Sequence, residues 1–184
     1  ALYCNTTANH NVAVGHQTLY CNCTGAQNTA VGNYALHYGC TGSANTAIGY
    51  ASLFRNTSGA HNTASGYKAS ECNTTGTWNT ASGKYALRYN TTGDCNIAVG
   101  GCALHANTTA SYNVAVGSCA LKSNTTGSEN TAIGRRALGK TTSGYKNFAG
   151  GSEALIENTT GCFNIALGHN SVKANTTANF NIGI

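Results

Sequence analysis

Hydrophobic and polar residues recur along this chain with a fixed period. An Asn stands at every seventeenth position from Asn11 to Asn181, without an insertion or a deletion. We number the repeat from this Asn, so that column 1 holds Asn11 and its equivalents, and the consensus is N-x-A-x-G-x-x-A-L-x-x-N-T-T-G-x-x. Every charged residue falls in columns 6, 7, 10, 11, 16 or 17. Because unpaired charge is seldom buried, these six columns are expected to face solvent or corners, and the others to form the framework.

The pattern predicts a parallel β-solenoid. A fixed period is typical of stacked repeats, and a repeat of this length is too short for a helix-turn-helix unit. Alternating β-branched segments such as Asn113–Gly117 predict one short strand in each repeat. The expected fold is therefore all-β, with one 17-residue coil per repeat and about 11 coils. No change of composition divides the chain, so residues 1–184 are expected to form a single repeat array without separate domains.

Two sets of apolar columns compete for the interior of the coil. Ala in column 3 and Leu in column 9 are predicted to point inward, which would give a thin core. Columns 2 and 4 lie on the opposite face of the strand from column 3 and carry apolar residues such as Val12 and Ile48. If Ala faces inward, columns 2 and 4 form an exposed apolar stripe of the kind that marks a protein interface. Alternatively, columns 2 and 4 are the core, and Ala makes a tight outer contact.

Asn and Gly are expected to hold the turns of the coil. Stacked Asn side chains in successive coils would satisfy backbone groups of the turns, and Gly in columns 5 and 15 would provide positive φ angles. Ladders between coils are therefore expected to stabilise the fold where the small core cannot.

Composition and charge exclude several classes of function. The net charge is +5, yet the basic residues form no stripe, so nucleic-acid binding is not predicted. No apolar run is long enough for a transmembrane helix, so membrane insertion is not predicted either. The only Asp, Asp94, and the Glu residues are scattered, and the six His residues occupy solvent columns in non-adjacent coils. We therefore expect no catalytic residue, no cofactor and no metal site, and the chain is not predicted to be an enzyme.

Nine cysteines are more than a protein of a reducing compartment is expected to carry, unless it binds metal. Metal binding is not favoured, because the chain has no C-x-x-C motif. Cysteines that share a column in successive coils would lie about 4.8 Å apart, within the Cα range of a disulfide. Cys162 is left without a partner of this kind. The predicted disulfides are Cys4–Cys21, Cys23–Cys40, Cys102–Cys119 and, across an N-T-T-G turn, Cys72–Cys95.

Column 12 carries a second chemical signal, the N-glycosylation motif N-x-[ST]. The Asn of column 1 is as regular but never has Ser or Thr two places on, so only one Asn ladder has the motif. A structural explanation competes with glycosylation, because N-T-T-G is also a good turn sequence. The candidate acceptors are Asn5, Asn22, Asn56, Asn73, Asn90, Asn107, Asn124, Asn158 and Asn175.

The repeat resembles those of a known family. The segments N-T-A-I-G, at Asn45–Gly49 and Asn130–Gly134, and N-V-A-V-G, at Asn113–Gly117, look like the head repeats of trimeric autotransporter adhesins. The longer form N-T-A-x-G-x-x-A-L-x-x-N-T-T-G is similar to repeats of phage tail fibres and of long extracellular proteins of microbes and algae. The resemblance covers the whole chain and implies a left-handed parallel β-roll that assembles as a trimer. This chain differs in its longer coil and its many cysteines, which favour a disulfide-stabilised fibre.

The expected function is structural. The sequence predicts the subunit of an extracellular or cell-surface filament that self-associates head to tail, with disulfides and possible glycans. The sequence begins in column 8 at Ala1 and ends in column 4 at Ile184, so a second copy placed on its end would resume the coil nearly in phase. A segment of a longer polypeptide would look locally identical. The alternatives are a trimeric adhesin head or tail-fibre shaft that acts as a binding module, and an ice-binding solenoid suggested by the Thr ladders of columns 13 and 14.

Overall fold

The computed structural model describes every residue from Ala1 to Ile184 and contains one sheet of 11 parallel strands. Each strand pairs only with its neighbours in sequence, so the chain advances by one coil per repeat. The register is one repeat throughout, so that Ala30 lies between Ala13 and Ala47. This confirms the predicted β-solenoid. The strands are β1 (Val12–Val14), β2 (Thr29–Val31), β3 (Thr46–Ile48), β4 (Thr63–Ser65), β5 (Thr80–Ser82), β6 (Ile97–Val99), β7 (Val114–Val116), β8 (Thr131–Ile133), β9 (Phe148–Gly150), β10 (Ile165–Leu167) and β11 (Ile182–Gly183).

The core is a thin column of Ala and Leu side chains. It comprises 24 fully buried residues, which come from columns 3, 8 and 9. The prediction that Ala of column 3 and Leu of column 9 point inward is confirmed, and column 8 joins them. Burial of each Leu is worth about 2 kcal/mol, whereas Ala contributes little apolar area. Contacts between coils must therefore supply much of the stability.

Three residues of nearly every coil adopt a left-handed backbone conformation although they are not glycine. They stand in columns 7, 9 and 17, as in Tyr34, Leu36 and Ala44, whose φ angles are 61°, 51° and 55°. The left-handed backbone conformation costs a non-glycine residue about 1 kcal/mol. In column 9, the burial of the Leu side chain offsets this cost. These residue types rarely adopt positive φ, so the sequence offers no sign of the conformation.

Glycine is favoured in columns 5 and 15 for different reasons. In column 5 it has positive φ, for example 130° at Gly100, as predicted. The prediction of positive φ in column 15 is wrong, because no glycine of that column has one. Column 15 instead favours glycine because the coils approach closely there: a Cβ on Gly76 would lie 2.5 Å from the carbonyl oxygen of Gly93. Alanine is nevertheless accepted in this column, as at Ala110.

Backbone hydrogen bonds between coils run through the turns as much as through the strands. Only 20 of the 120 backbone–backbone hydrogen bonds join two strand residues, and the other 100 involve at least one residue of a turn or loop. Leu36 N–H, for instance, donates to Ser52 O of the next coil at 3.0 Å. The turns are thus ordered parts of the ladder and hold side chains of the solvent columns at fixed positions. No helix in the structure has the length and apolar character needed to cross a membrane.

Candidate functional site

The Asn of column 1 forms an unbroken buried ladder. The backbone N–H of Asn62 donates to Oδ1 of Asn45 at 2.9 Å, and its Nδ2 donates to the same oxygen at 3.2 Å. The Nδ2 group also donates to Gly76 O at 2.8 Å. Each Asn of the interior coils therefore satisfies backbone groups of two coils, as the sequence predicted. This ladder fixes each strand to the turn that follows it in the chain.

The Asn of column 12 forms a second buried ladder, which is interrupted twice. Nδ2 of Asn107 donates to Oδ1 of Asn90 at 2.8 Å and to Ala110 O at 3.0 Å. The coil after Asn22 has Gly39 in this column, and the coil after Asn124 has Thr141. The side-chain oxygens of Asn22 and Asn124 are consequently buried without a hydrogen-bond partner. A buried carbonyl left unpaired costs about 1–3 kcal/mol, so both interruptions are weak points of the ladder.

This ladder bears directly on the predicted glycosylation sites. Seven of the nine side chains are at most 1% exposed, and their Nδ2 groups donate to Asn and backbone oxygens inside the solenoid. A glycan on Nδ2 would replace one of these hydrogens and would not fit the interior. The folded chain thus favours the structural explanation for those seven. Asn5 is exposed, and Asn175 is partly exposed in the penultimate turn. The buried residues are Asn22, Asn56, Asn73, Asn90, Asn107, Asn124 and Asn158.

Columns 2 and 4 form an exposed apolar stripe along the sheet. Ile48 is 44% exposed, Ile133 is 46% exposed and the Ala residues between these columns are buried. The alternative in which the stripe is the core is therefore wrong, because Ala and Leu fill the interior. Ser65, Ser82 and Gly150 interrupt the stripe. Eleven coils of about 4.8 Å and a three-residue strand of about 10 Å give a stripe of about 500 Å².

All nine cysteines are unbonded thiols in the structure. The pairs predicted as disulfides are therefore not covalently joined here. Burial raises the pKa of Cys21, and the neighbouring Cys4, Cys40 and Cys23 thiols raise it further. Burial likewise raises the pKa of Cys40, with Cys23 and Cys4 adding to the effect. The four residues thus lie close enough to influence one another, although no group of three His, Cys, Asp or Glu side chains is arranged to hold a metal ion.

Columns 6, 7, 10 and 11 together form what we call the variable face, which lies beside the buried columns 8 and 9. Its Tyr and Phe residues all lie in the first half of the chain. Tyr3, Tyr20, His37 and Phe54 stack in column 10 with ring centroids 4.8, 5.2 and 5.3 Å apart. The aromatic residues of this face are Tyr3, Tyr20, Tyr34, Tyr38, Tyr50, Phe54, Tyr67, Tyr85 and Tyr89.

The second half of the variable face carries charged side chains but no Tyr or Phe. Glu153 accepts from Arg135 at 2.7 Å and from Arg136 at 3.3 Å. A cavity of about 330 Å³ opens where Gly139 leaves a gap beside Lys122 and basic neighbours. Neither half is required by the backbone, since both sets of side chains lie in columns that tolerate many residue types. The confinement of Tyr and Phe to the first half of this face was not predicted, although sorting the aromatic residues by column would have revealed it.

The Thr ladders contribute to the coil rather than to a flat external surface. The hydroxyl groups of column 13 donate to the carbonyl oxygens of the same column in the next coil, as Thr74 does to Thr91 O at 2.9 Å. Only column 14 presents an exposed rank of hydroxyl groups along the whole solenoid. A single rank in a turn does not favour the ice-binding alternative, which needs a flat, bare Thr face.

Comparison with known proteins adds no relative to these observations. The resemblance to adhesin-head and tail-fibre repeats therefore rests on the repeat motif alone. A repeat motif identifies architecture better than it identifies function. No protein-family model, no curated protein and no solved structure matches this chain.

Proposed function

We propose that this chain is the structural subunit of an extracellular or cell-surface filament that assembles end to end. The observation that carries the proposal is the uniformity of the rungs. All ten strand pairs have the same parallel register of one repeat, from β1–β2 to β10–β11. A copy added at either edge would make the contacts that interior coils already make.

Unpaired strand edges support end-to-end growth. The sheet has two edges, at β1 and at β11, and both carry exposed apolar side chains. Ile182 of β11 is 74% exposed, and Val12 of β1 is 51% exposed. Open edges of this kind pair readily with another strand. The same edges would accept the neighbouring coil of a longer polypeptide, which would produce the same fibre.

Introducing like charges at the two edges tests the proposal. In a head-to-tail stack, Ile182 of one copy would lie one rung from Val12 of the next, about 4.8 Å away. The double variant Val12→Lys with Ile182→Lys is expected to prevent elongation, because like charges would face each other across the junction. Electron microscopy and light scattering of the purified chain would measure elongation. The wild type should form filaments with an axial repeat of about 53 Å.

The matched control is Val12→Lys with Ile182→Glu, which places opposite charges at the same junction. This variant should elongate like the wild type, and high salt should partly restore elongation of the Lys–Lys variant. A wild-type chain that remains a monodisperse monomer at high concentration would contradict the proposal. Filaments formed equally well by the Lys–Lys variant would contradict the head-to-tail arrangement.

A trimeric binding module is the second candidate, and the exposed apolar stripe is the surface that would form its interface. Interfaces of stable complexes bury about 800 Å² on each partner, more than the stripe of about 500 Å² provides. The stripe therefore suits lateral contacts that reinforce a filament better than it suits an isolated trimer. A sharp trimer mass by light scattering, unchanged in the Lys–Lys variant, would favour the trimer.

Disulfides between coils are expected in an oxidising extracellular setting. The bonds Cys4–Cys21, Cys23–Cys40 and Cys102–Cys119 should each raise the free energy of unfolding by about 3 kcal/mol through loop closure. Formation of Cys4–Cys21 and Cys23–Cys40 should be slow near neutral pH, because the raised pKa values of Cys21 and Cys40 lower the thiolate fraction. Thermal unfolding with and without reductant, together with peptide mapping, would measure both effects.

The control for this prediction is Cys162→Ser. Cys162 has no cysteine in its column in either neighbouring coil, so its replacement should leave the difference between the oxidised and reduced proteins unchanged. Thiols that stay free after exposure to an oxidant would contradict the predicted disulfides but would leave the filament proposal unaffected.

A further inference from the structure

The variable face contains a cavity whose walls are aromatic. Column 7 holds Tyr34, Ala51 and Lys68 in three successive coils. The small Ala51 side chain leaves a gap between its two long neighbours. The gap opens into a cavity of about 290 Å³, walled by Tyr34, Tyr50 and Phe54. Pockets that bind small molecules start at about 300 Å³ and are lined mainly by apolar and aromatic groups with a few polar ones.

The polar end of the cavity is held rigidly by ion pairs. Glu71 accepts from Lys68 Nζ at 2.9 Å and from Arg88 Nε at 2.6 Å. Burial alone would raise the pKa of Glu71, but the hydrogen bonds from Lys68 and Arg88 hold that pKa below its ordinary value. The hydrogen bond to Glu71 raises the pKa of Lys68 against the effect of burial. The cavity therefore presents a fixed acceptor and a fixed donor at neutral pH.

The aromatic surface continues beyond the cavity. Tyr50 stacks on Tyr67 of the next coil with ring centroids 5.3 Å apart, and both rings are more than 40% exposed. Tyr34 meets the rings of Tyr50 and Phe54 edge-on, at 5.9 and 6.3 Å. A ligand in the cavity could therefore extend along the solenoid over a second exposed ring. These rings satisfy no backbone group, so the fold does not require them.

We propose that this cavity is a subsite for one sugar residue of a glycan chain. A pyranose ring offers an apolar C–H face to an aromatic ring, while its hydroxyl groups both donate and accept hydrogen bonds. The cavity supplies the matching groups in Tyr50, Phe54, Lys68 and Glu71. A cationic ligand suits it poorly, because Lys68 and Arg88 outnumber Glu71. A wholly apolar ligand would cover the ion pair without satisfying its remaining hydrogen-bonding capacity.

Filling the gap tests the subsite without disturbing the ladders. The variant is Ala51→Tyr, and the fold accepts Tyr in column 7: Tyr34 and Tyr85 have φ angles of 61° and 60° there, against 51° for Ala51. The probes are oligosaccharides of glucose, of N-acetylglucosamine and of galacturonic acid, titrated by tyrosine fluorescence and by calorimetry. The wild type should bind at least one of them, and Ala51→Tyr should weaken its binding about tenfold or more.

Two further variants complete the experiment. Ala106→Tyr makes the same change in column 11, away from the cavity and one coil beyond Tyr89, and it should bind like the wild type. Tyr50→Ala removes a wall and should weaken binding about tenfold. Failure of the wild type to bind any of the three oligosaccharides would overturn the subsite, as would equal binding by Ala51→Tyr. The subsite does not rest on filament assembly, since its residues lie away from the edge strands.

Discussion

Replacing Gly100 by alanine is expected to lower the free energy of unfolding by about 4 kcal/mol. Gly100 lies at the end of β6 with a φ of 130°, in a region that alanine hardly ever enters. An added Cβ would also lie 2.7 Å from both the carbonyl carbon and the carbonyl oxygen of Gly117. The backbone of the next coil cannot move away from the added Cβ, because the Asn ladder of column 1 holds that coil in place. Denaturant unfolding followed by circular dichroism would measure the loss.

The control is the next residue in the sequence. Gly101 lies in column 6, without positive φ, and a Cβ added there would meet no atom within 4 Å. Gly101→Ala should therefore change stability by less than about 1 kcal/mol, in the stabilising direction. Equal effects at Gly100 and Gly101 would contradict the packing of column 5 described above.

Thr141→Asn is expected to raise the free energy of unfolding by about 2 kcal/mol, an unusual gain for one polar substitution in a core. Thr141 is fully buried in column 12, where it follows Asn124 and precedes Asn158. An Asn in its place would donate to the unpaired Oδ1 of Asn124 and accept from Nδ2 of Asn158, which now donates only to Gly161 O. Two similar side-chain volumes make the exchange possible without a cavity. The hydroxyl bond from Thr141 to Asn158 O would be lost.

The reciprocal change, Asn107→Thr, provides the matched control. It would open the same gap in an intact stretch and leave the Oδ1 of Asn90 and the Nδ2 of Asn124 without their present partners. The expected loss is about 3 kcal/mol. Thermal unfolding of both variants, with amide hydrogen exchange to locate the affected coils, would check the pair. A destabilising Thr141→Asn would show that the local backbone cannot accept the ladder geometry.

The course of the chain could be predicted because every coil provides nearly the same environment. Asn11 and its equivalents set the coil length, and confinement of charge to six columns identified the framework. The alternation in Asn113–Gly117 placed the strand. The small Ala and the apolar Leu occupy most positions of a core this thin. One short strand alone would be an ambiguous signal of secondary structure, but the same pattern repeated in every coil removes that ambiguity.

The sequence by itself determined the period and the strand, since these depend only on residue type within one coil. It left two sets of apolar columns as candidates for the interior, and the structure chose columns 3 and 9 and added column 8. The tertiary structure decided what depends on contact between particular coils. It placed Asn22 and its equivalents inside, where the sequon alone suggested an exposed acceptor. It gave Leu36 and its equivalents positive φ, because stacking holds a conformation that residue preference disfavours. It also showed why Gly39 and Thr141 leave unpaired oxygens and why Ala51 opens a cavity, since a gap exists only relative to the side chains above and below it.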